Sequence, residues 1–145
     1  MRLVVQRVEK AKVIRVNDGS TVGEIGKGLF VLVGFKKGDS EKDVETFAVK
    51  LSKLRVMSDL ADKMNLSVGD AEGKILVVSQ FTLYADTSEG NRPSFIEAEE
   101  PEKAKKLYEL FISKLREAGI TVETGSFGDY MKIEAVLDGP VTILY

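Results

Sequence analysis

Apolar and polar positions divide the chain into a strand-rich first third, two amphipathic stretches and a strand-rich end. Leu3-Val4-Val5-Gln6-Arg7-Val8 and Lys12-Val13-Ile14-Arg15-Val16 are dense in branched residues and predict two strands before a turn at Asn17-Asp18-Gly19. A short strand over Thr21–Ile25 leads to Gly26-Lys27-Gly28. The unbroken apolar run Leu29–Phe35 then predicts a strand buried on both faces. Strands this close together, joined by tight turns, argue for antiparallel pairing. Ser40 followed by Asp43 resembles a capping box, and Val44, Phe47, Ala48, Leu51 and Leu54 share one helical face, so the helix should run to about Leu54. Arg55-Val56-Met57 opens a further strand, and residues 58–73 read as loop, with Gly69-Asp70 and Gly73 as breakers. Lys74–Phe81 predicts a strong strand. Pro101 at a first helical position, amid Glu99, Glu100 and Glu102, starts a second helix whose buried side is traced by Leu107, Leu110, Phe111, Lys114 and Leu115 and which ends at Gly119. Strands return at Ile120–Glu123, Lys132–Leu137 and Val141–Tyr145. The order predicts a single α+β domain over residues 1–145, a largely antiparallel sheet curled toward a barrel with two main helices.

Composition narrows the chemistry more than the fold. The chain has no His and no Cys, which removes the commonest general base, the thiolate nucleophile and the commonest soft metal ligands. An enzyme built on it works with hydroxyls, carboxylates, Lys or Arg, backbone amides, or groups carried by its substrate. No spacing suggests a metal site, no glycine loop cradles a phosphate, and neither metal nor cofactor is expected. No segment approaches the roughly 18 apolar residues of a membrane span. The start of the chain does not read as a signal peptide, and the lack of Cys fits a cytoplasmic protein. The net charge is −2, yet residues 1–37 hold eight Lys or Arg against three acids. That third either faces phosphates or is scattered solvated charge.

Four constellations stand out. Ser79-Gln80-Phe81-Thr82 sets hydroxyls and an amide at the end of an apolar strand; alternation would send Ser79 and Phe81 to one face, Gln80 and Thr82 to the other. Such groups can hold a substrate or an oxyanion; the plainer reading is a strand emerging into solvent. Asp138-Gly139-Pro140-Val141-Thr142 reads as a turn, with a trans Gly-Pro bond as the default. Gly125–Met131, with Phe127 between two glycines, is either a lip for an apolar or purine-like ligand or a loop with one buried ring. Arg92, between Asn91 and Pro93, is a basic loop that either meets phosphate or is merely exposed.

Together, Gln6-Arg7-Val8, Val22–Gly26, Lys63-Met64-Asn65-Leu66-Ser67, Ser79–Asp86, Arg92–Phe95 and Gly139-Pro140-Val141-Thr142 resemble the D-aminoacyl-tRNA deacylase family, over Met1–Tyr145 with no large insertion. The resemblance implies a barrel-like homodimer with active sites at the subunit interface. It further implies hydrolysis of the ester between a D-amino acid, or misattached glycine, and the 3′ end of tRNA. It implies a cis Gly139–Pro140 bond that enters the partner's pocket, takes the substrate α-amino group on main-chain carbonyls and leaves no room for an L side chain. Arg7 would lock that turn. Ser79 and Gln80 would sit beside the terminal adenosine and its ester, Phe81 and Thr82 would offer backbone amides to the oxyanion, and Phe127 and Met131 would line the adenine or aminoacyl pocket. The ribose 2′-hydroxyl would help deliver water. Thr82 as nucleophile is the alternative role, but its proton has no evident acceptor. Partners implied are charged tRNA and a second copy, with no membrane and no DNA. The chain departs from the family pattern at Leu137, where Asn is usual, and at Asp129-Tyr130, where Ala-Asp is usual. A related deacylase for L-alanyl-tRNA carries Pro where this chain has Ser79. The rival from another class is a non-catalytic dimeric module for RNA ends or a small ligand.

Overall fold

The computed structural model describes residues 1–145. The first strand is longer than the pattern suggests: β1 runs unbroken from Arg2 to Arg15. Glu9 and Lys10, which look like a gap, are exposed positions where one edge of the strand passes from β3 to β2 and the register with β8 on the other edge shifts. Its first half pairs antiparallel with β3 (Gly28–Gly34) and its second half with β2 (Thr21–Ile25). Its opposite edge carries β8 (Met131–Leu144). β4 (Met57–Ser58) starts at the end of the expected Arg55–Met57 strand and pairs with β5 (Met64–Leu66), which lies inside the stretch read as loop, in a small hairpin. Asp59 closes its tip, its carboxylate accepting from the amides of Ala61 and Lys63 and from Asn65 Nδ2.

The rest of the sheet is parallel. β3 pairs with β6 (Lys74–Ser79), and β6 with β7 (Val122–Thr124), in register Leu29↔Ile75 and Ile75↔Val122. The sheet curls until β2 approaches β7, closely enough that a Cβ on Gly23 would stand 2.4 Å from Thr124 O. A nearly closed mixed barrel results, predominantly antiparallel about β1 as expected, with parallel pairs where a helix separates consecutive strands.

Strand alternation divides the core. Leu29, Val31, Val33, Ile75 and Val77 face the two helices, while Phe30, Leu76 and Val78 face the barrel interior with Val8, Val13 and Ile25. The run Leu29–Phe35 therefore reads apolar throughout because both its faces are covered. α1 (Glu41–Ser52) opens on the expected capping box: Asp43 N donates to Ser40 Oγ while Ser40 N donates to the Asp43 carboxylate. It ends two residues before Leu54. α2 (Pro101–Glu117) buries Leu107, Tyr108, Phe111, Ile112 and Leu115; neither helix is long and apolar enough to cross a membrane.

Two corrections bear on the site. β6 ends at Ser79 rather than Phe81, and Phe81–Tyr84 turns into a 3₁₀ turn. The strict two-face reading of Ser79–Thr82 therefore fails beyond Ser79. Asp138–Pro140 is not a turn between strands but a deformation within β8, where the register with β1 shifts on either side of Val8, and the Gly139–Pro140 bond is cis.

Candidate active site

The parallel strands β3 and β6 end side by side, and the chain turns sharply there. Gln80 N donates to Val33 O at 2.8 Å, closing the ladder, and Leu83 N donates back to Gln80 O. Between them the amides of Phe81 and Thr82 precede the first bond of the 3₁₀ turn and donate to no loop or turn carbonyl. Gln80 Nε2 donates to Thr82 Oγ1, so the two side chains brace one another.

This strand end forms the floor of a cavity of about 720 Å³, within the usual range of a small-ligand site. Gly34, Phe35, Val78, Ser79 and Gln80 lie at its base. The start of α2 supplies one wall with Pro101 and Ala104, and the 127–131 segment supplies the other with Phe127 and Met131. Phe127 is held from behind by Tyr108, ring centroids 5.6 Å apart. Tyr108 in turn donates from its hydroxyl to Val77 O at 2.8 Å, and burial pushes that phenol well above its ordinary range. Ser126 N donates to the Met131 sulfur, and Ser126 Oγ bonds the Asp129 carboxylate, tying the loop to its own base.

Carboxylates border the cavity at Glu99, Glu100 and Asp129. Glu99 lies 2.6 Å from Lys103 Nζ, which holds its carboxyl below the ordinary value. Asp129 faces Arg15 at 3.8 Å. The reactive-looking atoms near Ser79 and Gln80 are thus hydroxyls, an amide side chain and main-chain N–H groups. Chemistry there can come from positioning and dipoles rather than from a side chain that changes protonation near neutral pH.

Five of the nine residues singled out from sequence meet at this cavity: Ser79, Gln80, Phe81, Phe127 and Met131. Thr82 is adjacent through Gln80. Arg7, Gly139 and Pro140 form a separate group on the β1–β8 side. There the Arg7 guanidinium, 9 % exposed, donates through Nη1 to Val56 O at 2.9 Å and through Nε to Asp138 O at 3.3 Å. Its Nε also lies 2.9 Å from Asp138 Oδ2. Arg7 therefore clamps Asp138, the residue before Gly139, to the backbone of Val56, just ahead of β4. Gly139 has φ +126°, and an added Cβ would meet Val141 N at 2.9 Å, so only glycine fits without strain.

Sequence reasoning gave Glu99 only a helix-start role, Tyr130 only a place in the 125–131 lip, and Ala104 and Phe95 no individual role at the site. The signals for Glu99 and Ala104 were in plain view as the start of α2; Phe95 sat inside a motif whose place in space no spacing reveals.

The model of the family described as D-Tyr-tRNA(Tyr) deacylase matches residues 4–145. The chain belongs to this family. A D-aminoacyl-tRNA deacylase of Thermotoga petrophila is 56% identical over 144 residues, covering 99% of this chain and 95% of the relative. One from Shouchella clausii is 54% identical over 144 residues, covering 99% and 97%. Among solved structures, the c-Myc DNA Unwinding Element Binding Protein superposes with TM-score 0.92 at 38% identity, covering 100% of this chain and 97% of that one. A probable eukaryotic D-amino acid tRNA deacylase superposes with TM-score 0.88 at 16% identity, covering 99% and 97%, a likeness of fold.

Proposed function

We propose that this chain is a D-aminoacyl-tRNA deacylase, a single-domain cytoplasmic hydrolase that releases D-amino acids, and misattached glycine, from the 3′ end of tRNA. The observation that carries the reading is the convergence of Ser79, Gln80, Phe81, Phe127 and Met131 on one cavity in a chain without His or Cys. In this reading Phe127 and Met131 take the terminal adenine, and Ser79 and Gln80 lie along the ribose and ester. The amides of Phe81 and Thr82 receive the oxyanion. An aminoacyl ester is already activated, and the neighbouring 2′-hydroxyl orients the attacking water, so oxyanion stabilisation supplies what remains. Removing one such donor elsewhere costs about 10²–10³ in rate.

The second half of the reading is a homodimer in which Gly139 and Pro140 of one protomer complete the cavity of the other, their carbonyls binding the α-ammonium group and excluding an L side chain. The exposed apolar residues of β8, Ile133, Val136, Leu137 and Leu144, support such an association, since an uncovered apolar strand is a ready interface. Arg7 and Asp138 then act as the anchor of the inserted segment.

One relative bears a DNA-binding name, which makes general nucleic-acid binding the second reading. The basic first third supports it only in part, since four of its eight bases are already engaged within the chain. Arg2 is spent on Leu83 O, Arg7 on Val56 and Asp138, Lys12 on Glu134 and Arg15 on Asp18. Incubation with D-tyrosyl-, glycyl-, L-tyrosyl- and L-alanyl-tRNA separates the readings by ester loss. Release from the D and glycyl substrates alone is expected. Release from L-alanyl-tRNA would point to the related L-alanine deacylase, and release from none to a binding module.

A further inference from the structure

Every exposed aromatic ring of this chain stands at one place. Phe81, Phe95 and Tyr130 are 56%, 38% and 75% exposed, whereas the other Phe and Tyr side chains are buried or half-buried. All three line the cavity that holds Ser79 and Gln80. They come from three separate segments: the 3₁₀ turn, the approach to α2, and the residue before β8. Phe81 and Phe95 meet edge to face, centroids 5.1 Å apart, which fixes one pair of rings. Tyr130 is held at its backbone by the bond from Val16 N to its carbonyl, 3.0 Å, so its ring projects from an anchored position.

Exposed apolar area of this kind needs a partner. Exposed rings that flank a cavity suit unpaired nucleobases, which stack on aromatic side chains with little regard to sequence. Of the three cavity carboxylates, Glu99 is paired with Lys103 and Asp129 faces the Arg15 already bound to Asp18, which leaves Glu100 without an ion pair.

Resting on the deacylase reading, we propose that Phe95 and Tyr130, with Phe81, form a stacking rim for the unpaired nucleotides that precede the terminal adenosine of tRNA. The adenosine occupies the cavity, and the two nucleotides before it leave across the rings. A base stacked on such a ring tightens binding by about tenfold or more. The rim therefore contributes to KM and leaves the chemical step alone.

The test compares the D-tyrosyl ester of adenosine with the D-tyrosyl ester of the trinucleotide CpCpA, alongside equilibrium binding of uncharged CpCpA and adenosine. For the wild-type protein, KM for the trinucleotide ester should be about tenfold or more below that for the adenosine ester at similar kcat, with the same ratio in binding. Phe95→Leu and Tyr130→Ala should erase that advantage while leaving hydrolysis of the adenosine ester unchanged, and Tyr130→Trp should keep it. A wild-type protein that hydrolyses both esters with equal KM overturns the rim while leaving the deacylase reading intact. Variants that slow both esters alike also overturn it, as does loss of self-association in sedimentation, which would assign the rings to a second protomer. If neither ester is hydrolysed, the deacylase reading fails and the rim falls with it.

Discussion

β6 and β8 each end or bend at a motif of the site, yet they are built on opposite terms. β6 is buried at four consecutive positions, Ile75 to Val78, flanked by parallel neighbours and covered on both faces. β8 is covered by β1 along one edge and leaves Ile133, Val136, Leu137 and Leu144 exposed. The strand that carries Ser79 is therefore fixed by the protomer's own core. The strand that carries Gly139 and Pro140 is held by its ladder to β1 and, at the motif itself, by one buried guanidinium, and it has an apolar surface without cover. The contrast teaches that a single protomer holds a complete floor and walls but only one of the two residue groups expected at the site.

Four substitutions sharpen or break this contrast. The largest effect should come from the buried side: Phe111→Ala, fully enclosed behind β6, should cost about 3–5 kcal/mol in urea unfolding. A loss under 1 kcal/mol would mean the core does not lock this strand end. Arg7→Ala removes the donor from Val56 O and Asp138. It should cost about 1–3 kcal/mol and reduce hydrolysis of D-tyrosyl-tRNA; unchanged turnover would separate the clamp from the site. Ser40→Ala, remote from both regions, should cost about 1 kcal/mol through the lost cap without altering KM. Leu137→Asp should change the folding stability of the monomer by only about 0.5 kcal/mol, while shifting the protein to monomer in sedimentation and abolishing turnover. A dimer that survives this change would put the interface elsewhere.

The cap also sets a pH response. Ser40's hydroxyl, and then its amide, hold the Asp43 carboxyl below its ordinary value, and hydrogen bonds do the same for Asp59, Asp70 and Asp86. With folded pKa values depressed, the unfolded chain binds more protons in acid. The stability they contribute is fully present above the ordinary carboxylate range near 4 and is lost as pH falls through the folded values. Thermal midpoints should thus hold steady from neutrality to about pH 5 and drop below about pH 4; a drop centred near pH 6 would contradict this assignment.

Local chemistry was legible where it is local. The Ser40–Asp43 box, Pro101 at the head of α2, and the doubly buried run Leu29–Phe35 all appear where the residues indicate. Long-range pairing was not. Glu9-Lys10 looks like a break because no local pattern tells that β1 is held by β8 on one edge and by β2 and β3 in turn on the other. Gly139-Pro140 looks like a turn because a proline normally interrupts a strand; β8 continues by slipping its register. The hairpin at 57–66 rests on the Asp59 carboxylate rather than on strand propensity. For the site, the polar end of β6 was visible, but the partners of Arg7 come from residues 49 and 131 positions away. The clustering of the exposed rings depends on three segments that only the fold assembles.

The central claim is that each active site joins the Ser79–Gln80 cavity of one protomer to the Gly139–Pro140 segment of its partner. Mixing two inactive variants tests it most directly: Ser79→Ala/Gln80→Ala and Gly139→Ala are unfolded, refolded together and assayed on D- and L-tyrosyl-tRNA. A twofold dimer of this design regains one intact site per heterodimer, so about a quarter of wild-type activity should return, on the D substrate alone. Heterodimers that form without recovering activity, or that hydrolyse both enantiomers, would contradict the account.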